Sequence, residues 1–174
     1  MKILVQHDKS YMLLIVGRGN EKKNLENLSK ILGIKNQVVF SGKVSDQKLP
    51  NYYATADIFV LPSLIELQGM VVLEAMAVGL PILVADAELS TSKELVKNNG
   101  IIFKERNYKE LANGIRKIFD DPTLMKLYSL NSLKIAKNHS IDKSVKKLEK
   151  IYKYYLNKKS HHINFIREHL SLFY

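Results

Sequence analysis

"DIFVLPSLIELQGMVVLEAMAVGLPILVAD", residues 57–86, is composed as a strand, a helix and a second strand. The runs 57–62 and 81–86 are short and almost entirely apolar, which is typical of parallel strands that are buried on both faces. The segment between these two runs contains small residues and two glycines. A helix is predicted there from about residue 69 to residue 78. A strand, a helix and a parallel strand form the repeating unit of α/β proteins.

The same alternation of strands and helices extends over the rest of the chain. Further strands are predicted at 11–17, 37–42 and 100–103, and helices at 21–33, 45–56 (with a break at Pro50), 107–121, 122–138 and from 140 onwards. The predicted fold is α/β, a Rossmann-like parallel sheet with helices on both faces and extra C-terminal helices. We divide it into a domain at 1–139 and a basic, amphipathic helical segment at 140–174.

Composition restricts the class of protein. The chain has 174 residues, of which 46% are hydrophobic and 25% charged, enough for one domain with a substantial core. The absence of cysteine excludes disulfides and thiolate metal sites and suits a cytoplasmic protein. No apolar run reaches the length of about 18 residues that a membrane-spanning helix needs.

The net charge of +10 is concentrated near the C-terminus, where residues 134–159 hold nine lysines and only two acidic residues. Val145, Leu148, Tyr152 and Tyr155 recur there at helical spacing. Three interpretations remain open for this helix: packing on its own domain, packing on a second domain, or peripheral contact with the anionic inner face of the cell membrane. Nucleic-acid binding is disfavoured, because the lysines are not interleaved with a reading motif.

Ligands of open α/β sheets bind outside the carboxyl ends of the strands, so the loops that follow strands are the candidate binding segments. In the first of them, Gly17 and Gly19 permit close approach to a phosphate and Arg18 supplies a charge. In the second, Lys43 follows Gly42. An ordinary tight turn explains the first segment equally well, and it is the favoured explanation of the second segment taken alone. A full GxGxxG is missing, which disfavours a nicotinamide-dependent oxidoreductase.

Two carboxylates, Glu66 and Glu74, distinguish the third such segment. A carboxylate beside a helix can accept hydrogen bonds from two adjacent hydroxyls of a sugar or ribose. The start of the predicted helix offers the free N–H groups of Gly69, Met70 and Val71 to an anion. We expect Met70, Leu73 and Ala77 to form the face that packs on the sheet. The alternative for Glu74 is an ordinary surface acid at the edge of a helix.

"LPSLIELQGMVVLEAMAVGLP", residues 61–81, resembles the Glu-x7-Glu signature of retaining glycosyltransferases of the GT-B fold, the glycosyl transferases group 1 family (family four). Ordered matches extend from about residue 11 to residue 120. The resemblance implies a C-terminal donor-binding domain that transfers a sugar from a nucleotide sugar with retention and without a metal or other cofactor. It also implies a role in glycolipid, polysaccharide or cell-envelope glycan synthesis.

The resemblance also implies roles for individual residues toward a UDP- or GDP-hexose. Glu74 would hold the ribose hydroxyls, and Glu66, the catalytic candidate, would lie near the donor sugar and its phosphate. Gly69, Met70 and Val71 would contact sugar and phosphate oxygens through their N–H groups. Lys43 and Val44 would flank the nucleobase, and Gly17 would line the nucleotide cleft. Arg18 would partly replace the charge of a cation that the family has and this sequence lacks.

Three departures from the family pattern limit this assignment. Gln68 replaces the usual aromatic residue, and "AELSTS" (87–92) replaces a glycine pair, although Ser90, Thr91 and Ser92 offer hydroxyls for phosphate. The first domain is absent, and so are the first strand and loop of the second domain, where the family has an arginine and a lysine. "MKILVQHDKS" aligns with the tail of the helix after that loop. The alternative function is therefore an incomplete nucleotide-binding module, or a truncated gene product, that needs a separate N-terminal domain.

Overall fold

The computed structural model describes residues 1–170, and the side chains of residues 1–158. The chain divides into two compact units, Met1–Ala136 and Lys137–Tyr174. The first unit ends close to residue 139, the domain boundary taken from the sequence, while the functional assignment of the two parts stays a prediction. Residues 171–174 of the predicted C-terminal segment lie outside the described residues.

Helices and strands alternate along the first unit as the sequence predicts, and one long helix, α7, follows in the second unit. The helices are α1 (Lys2–His7), α2 (Lys22–Ile31), α3 (Leu49–Ala54), α4 (Met70–Ala77), α5 (Tyr108–Phe119), α6 (Pro122–Asn138) and α7 (Ile141–Leu170). The strands are β1 (Leu13–Val16), β2 (Val38–Gly42), β3 (Phe59–Leu61), β4 (Ile65–Glu66), β5 (Ile82–Asp86), β6 (Leu89–Ser90) and β7 (Gly100–Lys104). Helix α3 begins at Leu49, and Pro50 occupies its first turn, where a missing N–H costs nothing.

All strand pairs are parallel, and they form three sheets. The largest has the order β3-β5-β7, with Val60 opposite Leu83 and Leu83 opposite Ile101. Strands β1 and β2 form a separate pair, and the two-residue strands β4 and β6 form another. The predicted α/β class is confirmed. The division of the sheet and the strands β4 and β6 were not predicted.

The core lies on both faces of β5, whose four residues Ile82–Ala85 are all buried, with successive side chains on alternate faces. Ile82 and Val84 pack with Val72 and Met76 of α4 on one face. On the other face, Leu83 and Ala85 pack with Phe103 and with Ile118 of α5. Each such aliphatic side chain contributes about 1.5–3 kcal/mol on full burial. Strand β5 is the central strand of this sheet because it pairs with β3 on one edge and with β7 on the other, while α4 and α5 cover its two faces.

Helix α4 buries a face that shares only Leu73 with the one we predicted. Leu73 is half-buried and packs against the core, but Met70 and Ala77 are exposed, and the fully buried residues are Val72, Ala75 and Met76. Met70 is 54% exposed, because the buried positions place it on the opposite side of the helix. The exposed face therefore carries Met70, Val71 and Glu74, which are three and four residues apart.

Helix α7 carries the lysine-rich sequence. Val145, Leu148, Tyr152 and Tyr155 are exposed on it, so packing of this apolar seam against protein stays a prediction. Throughout the part of the chain that the structure describes, no helix combines the length and the apolarity needed to span a bilayer.

Candidate functional site

The candidate site lies where the parallel strands end. Strands β4 and β6 lie in the loops that follow β3 and β5. The two strands pair with each other, and Glu66 lies opposite Ser90. Thr91 joins the two loops further, because its N–H donates to the carbonyl of Glu66 (2.9 Å) and its hydroxyl donates to that of Leu67 (2.8 Å). Glu66 is thereby fixed directly in front of α4.

The carboxylate of Glu66 holds the turn that leads into α4. Its Oε1 accepts hydrogen bonds from the N–H groups of Gly69 (3.0 Å) and Gln68 (3.3 Å). Gly69 adopts a left-handed conformation with φ 61°, and a Cβ there would stand 3.1 Å from Cδ1 of Leu95. A glycine is therefore required where the chain turns from Glu66 into the helix.

The N–H groups at the start of α4 are only partly engaged. Of the three that the sequence assigned to a ligand, that of Gly69 donates to Glu66. Within the described residues, the N–H groups of Met70 and Val71 have no acceptor. They stand at the positive end of the helix dipole, where an anion is stabilised by typically 0.3–1 kcal/mol.

Glu74 is held by a residue from another helix. Its Oε2 accepts a 2.9 Å hydrogen bond from the hydroxyl of Tyr53 in α3. The ring of Tyr53 in turn packs against Phe59 of β3, with ring centroids 5.8 Å apart. Burial, together with the adjacent carboxylate of Glu74, raises the pKa of Tyr53. Glu74 is itself exposed, so its carboxylate can be reached by a ligand.

A second group of predicted residues forms at the ends of β1 and β2. The N–H of Gly17 donates to the carbonyl of Gly42 (2.9 Å), and both glycines have positive φ. Arg18 and Lys43 are exposed beside this link, and Val44 is half-buried. Neither cation forms an ion pair with any described residue. In residues 1–158, no hydrogen bond joins this group to Glu66 or Glu74.

We expected hydroxyls of residues 87–92 to be available to a phosphate. This expectation is wrong for two residues. Ser90 and Ser92 are buried, and their hydroxyls hydrogen-bond to one another at 2.7 Å. The hydroxyl of Thr91 also donates to backbone carbonyls, those of Leu67 (2.8 Å) and Glu66 (3.3 Å). Polar groups in the interior need such partners, so these hydroxyls are used to fix the loop.

A model of the glycosyl transferases group 1 family matches residues 1–135. The chain belongs to this family. It is 34% identical over 146 residues to an uncharacterised glycosyltransferase of Haemophilus influenzae, covering 83% of this chain and 40% of that protein. It is also 34% identical over 156 residues to an uncharacterised glycosyltransferase of Methanocaldococcus jannaschii, covering 87% of this chain and 39% of that protein.

Solved structures show the same fold. The HepE protein of Anabaena, determined in complex with UDP, superposes with a TM-score of 0.75 at 24% identity over 87% of this chain and 44% of that one. The group 1 glycosyltransferase chain thus has the architecture of the C-terminal domain of a GT-B enzyme. It spans about 40% of the length of the curated relatives it matches.

Sequence reasoning missed Tyr53 in this group 1 glycosyltransferase chain. Its partner Glu74 is 21 residues away, and no local pattern distinguishes Tyr53 from Tyr52 beside it. Only the packing of α3 on α4 shows the contact. In the described residues, no cluster of three histidine, aspartate or glutamate side chains could hold a metal ion. A metal-free reaction stays a prediction.

Proposed function

We propose that this chain is the nucleotide-sugar-binding part of a retaining glycosyltransferase. The observation that carries the proposal is the exposed face of α4, which presents the carboxylate of Glu74 and the unengaged N–H groups of Met70 and Val71 together. A nucleotide sugar contains a diol, which needs a hydrogen-bond acceptor. It also contains a diphosphate, which needs hydrogen-bond donors. The UDP bound to HepE supports a uridine nucleotide, and a GDP sugar has the same groups.

In this proposal, different site residues contact different parts of the ligand. Glu74 accepts from the ribose hydroxyls, and the two N–H groups of α4 receive diphosphate oxygens. Glu66 uses one carboxylate oxygen for Gly69 and keeps Oε2 for the donor sugar, because Oε2 has no partner among the described residues. At the other group, Lys43 and Val44 flank the base, Gly17 lines the cleft and Arg18 adds a positive charge.

The proposed reaction exchanges one bond for another at the anomeric carbon. The bond from that carbon to the diphosphate oxygen breaks, and a bond to the acceptor hydroxyl forms on the same face. The acceptor proton passes to the departing nucleoside diphosphate. The α4 N–H groups, Arg18 and Lys43 stabilise the charge that develops on the leaving group, which is why we propose no metal. The acceptor class we propose is a glycolipid, a polysaccharide or another cell-envelope glycan.

A second candidate is a binding module that does not transfer sugar unless a separate N-terminal domain is present. The short span relative to its relatives favours this candidate. Titration calorimetry with UDP, GDP and their hexose derivatives, with and without EDTA, tests binding in both cases. A transfer assay on the same preparation separates them. Binding without turnover favours the module, turnover favours the enzyme, and no binding of any nucleotide contradicts both.

The Glu74→Ala variant tests the site itself. Loss of a charge-assisted hydrogen bond should weaken nucleotide binding by about 1–3 kcal/mol. Glu149→Ala, which removes an exposed carboxylate from α7, is the matched control and should bind as the unmodified chain does. Equal affinities for the two variants would contradict the role of Glu74.

We further propose that the protein works in the cytoplasm, in peripheral contact with an anionic membrane through α7. The supporting observation is the exposed lysine series of this helix, which includes Lys146, Lys147 and Lys150. Sedimentation with phosphatidylserine vesicles should recover the protein at low salt, and phosphatidylcholine vesicles should not. Replacing the three lysines by glutamine should reduce recovery. Equal recovery with both lipids would contradict the proposal.

A further inference from the structure

A fully buried asparagine directly precedes β7. Asn99 is 0% exposed although its side chain is polar. Its Oδ1 accepts a 2.6 Å hydrogen bond from the N–H of Lys97, and its Nδ2 donates to Oγ of Ser132 in α6 at 3.4 Å. The hydroxyl of Ser132 donates in turn to the carbonyl of Leu80 at 2.7 Å. These bonds connect α6 with the segments that lead into β5 and β7.

The residue after Asn99 must be a glycine. Gly100 lies opposite Ile82 in the ladder, and a Cβ on Gly100 would collide with the backbone carbonyl of Ile82. The N–H of Ile82 also donates to the carbonyl of Asn99 at 3.1 Å. Strands β5 and β7 therefore approach so closely here that only glycine is accommodated. Packing thus places an asparagine and a glycine next to each other.

An Asn–Gly pair is especially prone to deamidation, because glycine has no side chain to hinder attack by its own nitrogen. The backbone nitrogen of Gly100 forms a bond to Cγ of Asn99, while the bond from Cγ to Nδ2 breaks. The proton of the Gly100 N–H leaves with Nδ2 as ammonia. Water then opens the cyclic imide at one of its two carbonyls. The product is aspartate, or isoaspartate when the chain continues through the former side chain.

The folded chain opposes both steps. Attack requires the carboxamide of Asn99 to turn towards Gly100, but the N–H of Lys97 and the hydroxyl of Ser132 hold its two polar atoms. Water is needed to take up the Gly100 proton and to hydrolyse the imide, and Asn99 is fully buried. Local opening of β7 removes both obstacles. The rate in the folded protein should therefore follow the small fraction of chains that are open.

The product does not fit the network. Ser132 has a single hydroxyl hydrogen, which it donates to Leu80 while it accepts from Asn99. A carboxylate at residue 99 has no hydrogen to donate, so it would compete with the carbonyl of Leu80 for that hydrogen. A negative charge would also be buried without a cation, which is strongly unfavourable. Isoaspartate would in addition lengthen the backbone beside Gly100, where even a Cβ has no room.

We propose that Asn99 is a deamidation site that folding protects, and that a chain modified there does not return to the folded state. Unfolding then becomes irreversible whenever the open chain is modified faster than it refolds. The site lies at the amino ends of β5 and β7, whereas the candidate donor site lies at the carboxyl ends of the strands. Modification of Asn99 therefore acts through stability and depends on no ligand.

A second Asn–Gly pair in the sequence provides the internal control. Asn113 precedes Gly114 within α5, and the side chain of Asn113 is exposed. Aspartate at residue 113 would face solvent, so deamidation there should leave refolding intact. The two pairs have the same local chemistry in an unfolded chain, and a difference between them in refolding reports the network around Asn99.

Peptide mapping by mass spectrometry measures deamidation at each asparagine. A synthetic peptide of residues 97–103 in the same mildly alkaline buffer gives the rate for an unprotected Asn99. In the folded chain, Asn99 should react about a hundredfold more slowly or less, because core positions open rarely. The chain is next held in guanidinium chloride for increasing times and then diluted. The fraction that refolds should fall with the same time course as Asn99 is converted, and refolded protein should be modified at residue 113 but not at residue 99.

Two variants complete the test. Asn113→Gln should lose refolding yield as the unmodified chain does, because Asn99 is still present. Asn99→Asp should fail to fold or should unfold at a lower denaturant concentration, whereas Asn113→Asp should not. Equal rates for Asn99 in the folded chain and in the peptide would overturn the proposal, as would refolded protein that is modified at residue 99. Full refolding of Asn113→Gln after the same incubation would assign the loss to Asn113 and would also overturn it.

Discussion

The hydroxyl of Tyr53 donates a 2.9 Å hydrogen bond to Oε2 of Glu74, and this contact joins α3 to α4. It restrains an exposed carboxylate that would otherwise sample several rotamers. Because a carboxylate has two oxygens and about four acceptor positions, Glu74 can keep this bond while it accepts hydroxyls from a ligand. Tyr53 is therefore a positioning residue for the proposed ribose contact.

Replacing Tyr53 by phenylalanine should weaken nucleotide binding by about 1 kcal/mol, or about fivefold, because the variant loses one hydrogen bond that orients Glu74. Calorimetry with UDP or GDP measures the change. Tyr52→Phe is the matched control, since the hydroxyl of Tyr52 has no hydrogen bond among the described residues. Tighter binding by Tyr53→Phe would mean that Tyr53 competes with the ligand instead of positioning Glu74.

The same contact makes stability depend on alkaline pH. Burial and the carboxylate of Glu74 raise the pKa of Tyr53 in the folded chain above its ordinary value of about 10. The folded state therefore binds this proton more tightly than the unfolded state does. Its contribution to the free energy of unfolding is complete below about pH 10 and is lost as the pH rises further.

Urea unfolding measured at a series of pH values tests this dependence. Tyr53→Phe cannot release the proton, so its free energy of unfolding should fall less steeply above about pH 10 than that of the unmodified chain. Other tyrosines and the lysines titrate in both proteins, and the comparison cancels their effects. Parallel curves for the two proteins would contradict the raised pKa of Tyr53.

Local sequence patterns were sufficient to predict most of the helices and strands. Apolar runs such as 81–86 have few alternatives in an α/β chain, and β5 lies there. The buried face of α4 could not be predicted, because this helix is apolar nearly all round and has no distinct stripe.

The predicted residue types of the site were recognisable, but their contacts were not. Glu66 and Glu74 are conspicuous as acids in an apolar segment. That Glu66 engages Gly69 follows from the three-dimensional path of the loop, which Thr91 holds from 25 residues away. The pairing of Ser90 with Ser92 likewise depends on burial, which their polarity alone would not indicate.

Gly69→Ala should destabilise the protein by about 1–2 kcal/mol, the cost of a left-handed conformation for a residue with a Cβ. The Cβ would also stand 3.1 Å from Leu95 Cδ1, so that side chain must move. Gly19→Ala is the matched control, because its φ is not positive and a Cβ there meets nothing within 4 Å. It should change stability by less than about 0.5 kcal/mol. Equal urea midpoints for the two variants would contradict the constraint at Gly69.

Glu66 has a structural contact and a proposed catalytic one, and two substitutions separate them. Glu66→Ala removes the acceptor for the Gly69 N–H and should lower the free energy of unfolding by about 1 kcal/mol, the net contribution of a typical hydrogen bond. Glu66→Gln keeps a carbonyl oxygen at that place and should remain within about 0.5 kcal/mol of the unmodified chain. Urea unfolding measures both values.

The ligand measurement then isolates the charge of Glu66. Both variants lack the carboxylate, so both should lose the extra affinity for a nucleotide sugar over the corresponding nucleoside diphosphate, although only Glu66→Ala is destabilised. Glu88→Ala, which removes an exposed carboxylate from the loop after β5, should lose neither. If Glu66→Gln binds nucleotide sugar as tightly as the unmodified chain does, Glu66 only holds the turn before α4 and does not contact the donor sugar through its charge.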